Sequence, residues 1–200
     1  MKRNNVIRVA FGAIALVVMS LMTSCSSYNG MVEAEEAVNS AWGQVENVYQ
    51  RRADLVPNLV NTVKGAANFE KSTLESVVEA RAKATSITID PSNMTEEDLA
   101  KFQKAQDNLS SSLGRLMAVA EAYPELKSNE NFLTLQSQLE GTENRIAVER
   151  KKFNETVQNY NTTIRKFPRN ILASIFGFKQ KAYFKAAEGA EQAPNVSFEF

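Results

Sequence analysis

Few residues in this 200-residue chain are suited to chemistry. The chain contains one cysteine, Cys25, and no histidine, which excludes Ser-His and Cys-His catalysis, histidine-ligated zinc and an imidazole pH switch. A single cysteine also excludes an intrachain disulfide and a thiolate metal cluster. The residues singled out here for chemistry are the Cys25 thiol, as a site of modification, and carboxylates near Glu143, for acid–base work. We therefore predict no metal and no cofactor.

The segment before Cys25 has the pattern of a secretion signal. Basic Lys2, Arg3 and Arg8 precede an apolar run from Val9 to Met22. As a helix this run would span about 21 Å, whereas the hydrocarbon core of a membrane is roughly 30 Å thick. A run of this length suits the core of a signal peptide better than a permanent membrane span.

Small residues, Thr23 and Ser24, come directly before Cys25. This segment resembles the lipobox of a bacterial lipoprotein, which implies that the Cys25 thiol is acylated and the chain is cut before it. We therefore expect a signal peptide over residues 1–24, and a lipid anchor with a short tether over residues 25–30. Several acyl chains hold a protein at a membrane far more firmly than one. The alternatives are an uncleaved single-pass membrane protein and a secreted protein with an unmodified cysteine.

The overall composition describes a balanced, core-forming chain. It has 23 basic and 23 acidic residues, and 44% of its residues are hydrophobic. That fraction suffices for a core and is too low for a polytopic membrane protein. Removal of the leader would leave 20 basic and 23 acidic residues, because three basic residues are lost. No strong basic field points to nucleic acid, so we predict no nucleic-acid partner.

The first helical segment contains a proline that leaves its architecture open. Apolar residues follow helical spacing from Met31 onward, with Asn29 as an expected N-cap. Pro57 is unfavourable inside a helix but tolerated in a first turn. One helix could therefore end near Arg52 and another begin at Leu55, capped by Asp54, or a single kinked helix could continue through Pro57.

The remaining segments also read as helices. We expect one to continue to about Ala84, a loop over 85–93, and a helix that starts at Thr95 and stops before Tyr123. A heptad repeat then predicts a helix of nearly forty residues, with apolar residues at Phe132, Leu139, Ile146, Phe153, Tyr160 and Phe167. The sequence thus predicts an all-α protein, an antiparallel four-helix bundle over residues 31–188. A short C-terminal helix from Pro168 to Gly177 belongs to it, and residues 189–200 form a tail.

Two sequence blocks carry a family resemblance. The first is Arg-Arg-x-Asp-Leu-x-Pro-Asn-Leu-Val from Arg51 to Val60, and the second is Thr-Glu-Asn-Arg-Ile-Ala from Thr142 to Ala147. The chain resembles the LemA family from Tyr28 to about Phe198. The resemblance implies a four-helix bundle held at a bacterial membrane by its amino terminus, and no established reaction. It singles out Arg51, Arg52, Asp54, Pro57, Asn58, Glu143, Asn144 and Arg145.

Charged residues interrupt the apolar stripe of the long helix. Glu143 and Arg150 share a stripe with Val157 and Ile164, so we expect both to face the bundle, where an unpaired charge is costly. The candidate partners are Arg81, Arg51, Arg52, Asp54 and Glu121. A salt-bridge network that fixes helix register is one interpretation. A polar pocket for a ligand, or a carboxylate pair for acid–base work, is a second interpretation. The third is that these side chains are exposed to solvent at a groove in the bundle.

Three aromatic residues have both a packing and a binding interpretation. Trp42, the only tryptophan, lies on the apolar face of the first helix and is either an inter-helix contact or a partner hot spot. The segment that contains Phe176 and Phe178 is expected to cap the bundle, where both rings would be buried. Its alternative role is an apolar patch that meets a membrane or a partner.

These observations favour a non-enzymatic envelope lipoprotein that acts as a helical scaffold or protein-interaction module. Its expected partners are a membrane, through the lipid at Cys25, and an unidentified envelope protein, on the periplasmic or outer-membrane side. The alternative is an envelope enzyme that uses carboxylates near Glu143. A deep cleft with two carboxylates roughly 5–9 Å apart would favour that enzyme.

Overall fold

The protein is all-α, as predicted. A computed structural model describes residues 2–66 and 69–185, with side chains from Ser26 onward. Within these ranges there is no strand. The helices are α1 (Lys2–Lys64), α2 (Lys71–Ser86), α3 (Glu96–Ala120), α4 (Pro124–Lys127), α5 (Glu130–Arg165) and α6 (Arg169–Phe176). The predicted tail, residues 189–200, lies outside the described residues.

The chain divides into two compact units. Unit 1 contains α1 up to Arg52, residues 90–93, and the chain from Ser137 to Lys181. Within it α1 and α5 are antiparallel, since Trp42 contacts Phe153 whereas Arg52 contacts Glu143. The ring centroids of Trp42 and Phe153 lie 5.6 Å apart in an edge-on arrangement. The core of this unit includes Met31, Val38, Val45, Ile146, Val157 and Tyr160.

Unit 2 contains residues 53–89 and 94–136, together with the described residues from Ala182 to Lys185. Helices α2 and α3 are antiparallel within it. The Gln106 side chain donates to the carbonyl of Ala84 over 3.2 Å, and the hydroxyls of Ser76 and Ser112 lie 3.3 Å apart. Its core includes Val56, Leu59, Val77, Leu99, Phe102, Leu109 and Leu116.

The heptad repeat of α5 is confirmed over most of its length. Phe132, Leu139, Ile146, Phe153 and Tyr160 are all buried. The expectation for Phe167 is wrong, because its side chain is 81% exposed. Helix α5 ends at Arg165, so the helical geometry that would turn Phe167 inward is no longer present.

Helix α1 settles the question raised by Pro57. It is continuous from Lys2 to Lys64 with Pro57 inside, so no second helix begins at Leu55 and Asp54 is not a cap. Asn29 is likewise inside α1 and not at its start, which corrects the expected N-cap. Residues 26–30 of the predicted tether are helical. The signal peptide remains a prediction, and the Cys25 side chain lies outside what is described.

The other predicted helix ends agree with the structure in part. Thr95 caps α3, and Gly177 ends α6 in the left-handed conformation at φ 80°, which glycine adopts without strain. The short helix α4 was not predicted. The expectation that α6 buries its rings as a cap is wrong for Phe176, whose side chain is 56% exposed, and Phe178 is half-buried.

Candidate functional site

An ion pair joins α1 to α5 inside unit 1. The guanidinium of Arg52 is 1% exposed, and its Nη1 lies 2.8 Å from Oε1 of Glu143, whose side chain is 39% exposed. The guanidinium carbon also lies 5.1 Å from the ring centroid of Tyr49, within cation–π range. Glu143 therefore pairs with one of the five partners considered from the sequence. The pair fixes which turn of α1 meets which turn of α5.

The other residues singled out by the family blocks lie on the surface. The side chains of Arg51, Asp54, Pro57, Asn58, Asn144 and Arg145 are exposed. Arg150, expected on the buried stripe, is half-buried. The blocks therefore supply one buried ion pair and a set of exposed polar side chains.

Pro57 leaves a backbone acceptor of α1 without its usual donor, and Arg81 supplies one. Proline has no backbone N–H, so it cannot donate to the carbonyl of Ala53, four residues earlier. The Nε of Arg81, on α2, donates to that carbonyl over 2.7 Å. Both residues belong to unit 2. An arginine side chain thus replaces the hydrogen bond that proline removes from α1.

Lys181 is the centre of a buried polar cluster that the sequence analysis missed. Its side chain is 4% exposed, and its Nζ lies 2.9 Å from Oε1 of Glu35. The same ammonium donates to the carbonyls of Pro91 and Ser92 over 3.1 and 2.8 Å. The Asn161 side chain accepts from the Lys181 backbone N–H and donates to its carbonyl, each over 2.9 Å.

Tyr160 closes this cluster on the α5 side. Its hydroxyl donates to the carbonyl of Lys179 over 3.0 Å. Burial, and next the negative charge of Glu35, raise the pKa of the Tyr160 hydroxyl far above its ordinary value of 10, so it remains a neutral donor. The Lys181 cluster therefore fastens the segment after α6, and the 90–93 loop, to α1 and α5 of unit 1. The only sequence signal for the Lys181 cluster was Asn161, a polar residue that directly follows the heptad position Tyr160.

An open groove of about 530 Å³ runs along α2 in unit 2. Its lining includes the carboxylates of Glu75 and Glu79 and the apolar side chains of Val60, Leu74 and Val78. Glu75 and Glu79 pair with Lys71 and Lys83 at 3.4 and 2.8 Å, and all four side chains are at least 65% exposed. The Lys83 ammonium lowers the pKa of Glu79, whereas a general acid needs a raised pKa.

The described residues contain no group of three or more His, Cys, Asp or Glu side chains placed to hold a metal ion. Across the same residues, no helix combines the length and apolar character that a membrane span requires.

Unit 1 exposes an apolar surface around α6. We call it the α6 surface and define it as Phe167, Ile171, Ile175 and Phe176, whose side chains are between 53% and 81% exposed. Its neighbour on α1 is Tyr28, whose ring centroid lies 4.8 Å from that of Phe176 and 5.8 Å from that of Phe178, both edge-on. The α6 surface therefore lies at the end of unit 1 that carries Tyr28.

The relatives found by comparison with known proteins agree on one family. A model of the LemA family matches residues 41–198. The chain is 30% identical over 190 residues to magnetosome protein MamQ 2 of Paramagnetospirillum magneticum, spanning 86% of this chain and 70% of the relative. It is 30% identical to magnetosome protein MamQ of Magnetospirillum gryphiswaldense over 86% of this chain and 71% of the relative. Protein LemA of Metamycoplasma hominis is 22% identical over 80% of this chain and 69% of the relative. Because the family model spans most of the sequence and the MamQ relatives agree with it, this chain belongs to the LemA family.

Proposed function

We propose that this LemA-family chain is a lipid-anchored protein of the bacterial envelope whose helical bundle acts as a non-catalytic interaction scaffold. One observation carries the proposal: the buried cations are used to hold the fold together. Arg52 meets Glu143, and Lys181 meets Glu35 and two backbone carbonyls. Charges engaged in this way stabilise helix register and loop position, and are not poised for proton transfer.

The groove on α2 supports the same proposal. An enzyme that works by paired carboxylates needs one of them protonated near neutral pH. Glu75 and Glu79 are exposed and paired with lysines, and the pKa of Glu79 is lowered. These properties are opposite to those of a general acid.

Attachment through Cys25 is supported by the sequence, and membrane association in general by the relatives. Thr23, Ser24 and Cys25 follow a basic and apolar leader, as in lipoprotein precursors. The relatives named magnetosome protein and LemA support membrane association in a bacterium.

The lipid anchor is tested by Cys25→Ser in the full chain, expressed in bacteria fed a labelled fatty acid. The variant should incorporate no label and remain uncut, because the acylated thiol is gone. Ser27→Ala, two residues later, is the matched control and should be labelled like wild type. Label on Cys25→Ser, or none on wild type, would overturn the lipid anchor.

The scaffold role is tested by crosslinking in intact cells followed by mass spectrometry. The wild-type chain should give a reproducible crosslink to another envelope protein, and Glu79→Gln should leave that crosslink unchanged. Absence of any crosslink above a control without crosslinker would contradict the scaffold.

A further inference from the structure

The α6 surface is unusual because four large apolar side chains are exposed together. Helix α6 is eight residues long, about 12 Å at the rise of an α-helix. Its Ala173 is buried and Leu172 is half-buried, whereas Ile171, Ile175 and Phe176 are exposed. One side of α6 therefore packs against the protein and the other faces outward. Exposed apolar patches of this kind mark contacts with membranes or partners.

The position of the α6 surface indicates which contact it makes. Phe176 and Phe178 pack on Tyr28, and an Nη of Arg169 lies 3.9 Å from where a Cβ would stand on Gly30. Tyr28 is three residues after Cys25 in the same helix, an axial separation of about 4.5 Å. The α6 surface is therefore beside the point where the proposed anchor enters the membrane.

The sequence segment that carries the α6 surface is rich in basic residues. No acidic residue occurs between Glu155 and Glu188. The same stretch carries six basic residues, Arg165, Lys166, Arg169, Lys179, Lys181 and Lys185. Two of them are engaged elsewhere, because Lys181 is buried against Glu35 and Lys185 pairs with Glu96 in unit 2. Arg165, Lys166 and Lys179 are exposed. Aromatic and aliphatic side chains flanked by Lys and Arg are typical of segments that lie in the interface of anionic lipids.

We propose that the α6 surface is a second membrane contact, which inserts into the interfacial region of an anionic bilayer beside the anchor at Cys25. This inference rests on the membrane attachment in the proposed function. It adds that unit 1 is held to the bilayer at two points, so unit 1 does not rotate freely about its anchor.

The experiment uses an added tryptophan and brominated lipids, which quench tryptophan only within the bilayer. The full chain carrying Ile175→Trp is reconstituted into phosphatidylethanolamine–phosphatidylglycerol vesicles with brominated acyl chains. Val148→Trp is the matched control, because Val148 is also an exposed aliphatic residue, on α5 of the same unit. It lies 17 residues before Arg165, about 25 Å along the helix. The unmodified chain, with Trp42 buried, gives the baseline.

Bromolipid should cause a loss of the added fluorescence of Ile175→Trp, because an interfacial helix buries its apolar face at the acyl boundary, and should leave Val148→Trp at the baseline. The quenching should weaken in phosphatidylcholine vesicles, because the basic residues then lose their counter-charge. Ile171→Trp, on the same helix, replaces Ile175→Trp if that variant loses its helical circular dichroism.

The readout works whether a lipid at Cys25 or an uncut leader holds the chain. Loss of the lipid label in cells therefore overturns the lipoprotein anchor alone.

A chain that floats with vesicles while residue 175 stays unquenched overturns this inference alone. A blue-shifted but unquenched signal means that a protein surface, a second copy or another partner, covers α6, and also overturns it. Equal quenching in zwitterionic vesicles overturns the requirement for anionic lipid, and a chain absent from the vesicles overturns both proposals.

Discussion

Arg52 and Lys181 are both buried cations of unit 1, but their charges are compensated differently. Arg52 meets the carboxylate of Glu143 and the ring of Tyr49, and that carboxylate belongs to a side chain that is more than one third exposed. Lys181 has a carboxylate and two backbone carbonyls. Removal of a partner from a buried cation leaves an uncompensated charge, which costs more than loss of a surface pair.

Glu143→Ala should lower the free energy of unfolding by about 2 kcal/mol, between the values for exposed and buried pairs. The reason is that Arg52 stays buried, while water reaching the half-exposed Glu143 position screens part of the loss. Glu155→Ala is the matched control on α5, where the 3.8 Å pair with Lys151 is exposed, and should cost under about 0.5 kcal/mol. Equal losses of unfolding free energy for the two variants in urea melts would show that the Arg52–Glu143 pair stabilises the fold no more than an exposed pair does.

The sequence predicted some of these residues and missed others for a physical reason. The heptad positions of α5 place Glu143 toward another helix, so a cationic partner could be expected. Which arginine it meets was not predictable, because long side chains on neighbouring turns reach the same point. Lys181 was missed because it lies in a segment without helix or strand, where periodicity gives no information on burial.

At the scale of elements, α1 shows how a helix continues through proline. The sequence did not decide whether the helix breaks at Pro57. The cost of a proline inside a helix depends on whether the carbonyl four residues earlier finds another donor. Here that carbonyl meets Arg81 of α2, 28 positions along the chain. Local apolar periodicity predicts the helices themselves. It does not predict this contact, which joins two different helices.

A double-mutant cycle tests whether the Arg81 side chain replaces the backbone donor that Pro57 lacks. Arg81→Ala should destabilise the wild type by about 1–3 kcal/mol, because the Ala53 carbonyl loses its donor. In a Pro57→Ala background the new backbone N–H of residue 57 donates to the same carbonyl, so the cost should fall by about 1–2 kcal/mol. The measurement is chemical denaturation of all four chains. Identical costs in both backgrounds would refute the coupling.

The capping box of α3 makes a prediction about acid stability. The Asp98 carboxylate accepts from the Thr95 N–H over 3.3 Å, and the Thr95 hydroxyl oxygen accepts from the Asp98 N–H over 3.1 Å. Hydrogen bonds from Thr95 lower the pKa of Asp98 below its ordinary 3.8. This contribution to stability is complete above pH 3.8 and is lost as the pH falls through the lowered pKa of the folded state.

Asp98→Asn should therefore lower the melting temperature at neutral pH, and the gap to wild type should narrow as the pH falls below 3.8. Asp107→Asn, an exposed site in the middle of α3, should leave the melting temperature near that of wild type. Thermal melts followed by circular dichroism across this pH range provide the measurement. A gap that stays constant or widens in acid would contradict the capping role of the carboxylate.

At the scale of the whole molecule, charge is distributed unevenly along the chain. The stretch between Glu155 and Glu188 holds six basic and no acidic residues, although the complete chain is neutral. Composition alone therefore concealed a basic region, and helical periodicity alone could not show that the apolar residues of α6 face outward. An amphipathic segment has the same pattern whether it covers a core or lies on a membrane.

Salt should loosen the α6 contact while leaving the anchor intact. Raising the ionic strength from about 0.1 to 1 M shortens the Debye length from about 10 to 3 Å. Bromolipid quenching of Ile175→Trp should then fall in anionic vesicles and change little in zwitterionic ones, whereas co-flotation of the chain should persist in both. The same salt response in the two lipids would indicate that the basic residues do not contribute.

The contact between Arg81 and the Ala53 carbonyl also has an evolutionary consequence. A lineage that replaces Pro57 regains a backbone donor, and selection on residue 81 is then relaxed. A lineage that loses Arg81 first must tolerate an unsatisfied carbonyl until proline is replaced. Replacement of the proline should therefore precede loss of the arginine in most branches, and homologues that retain Pro57 but lack Arg81 should be rare.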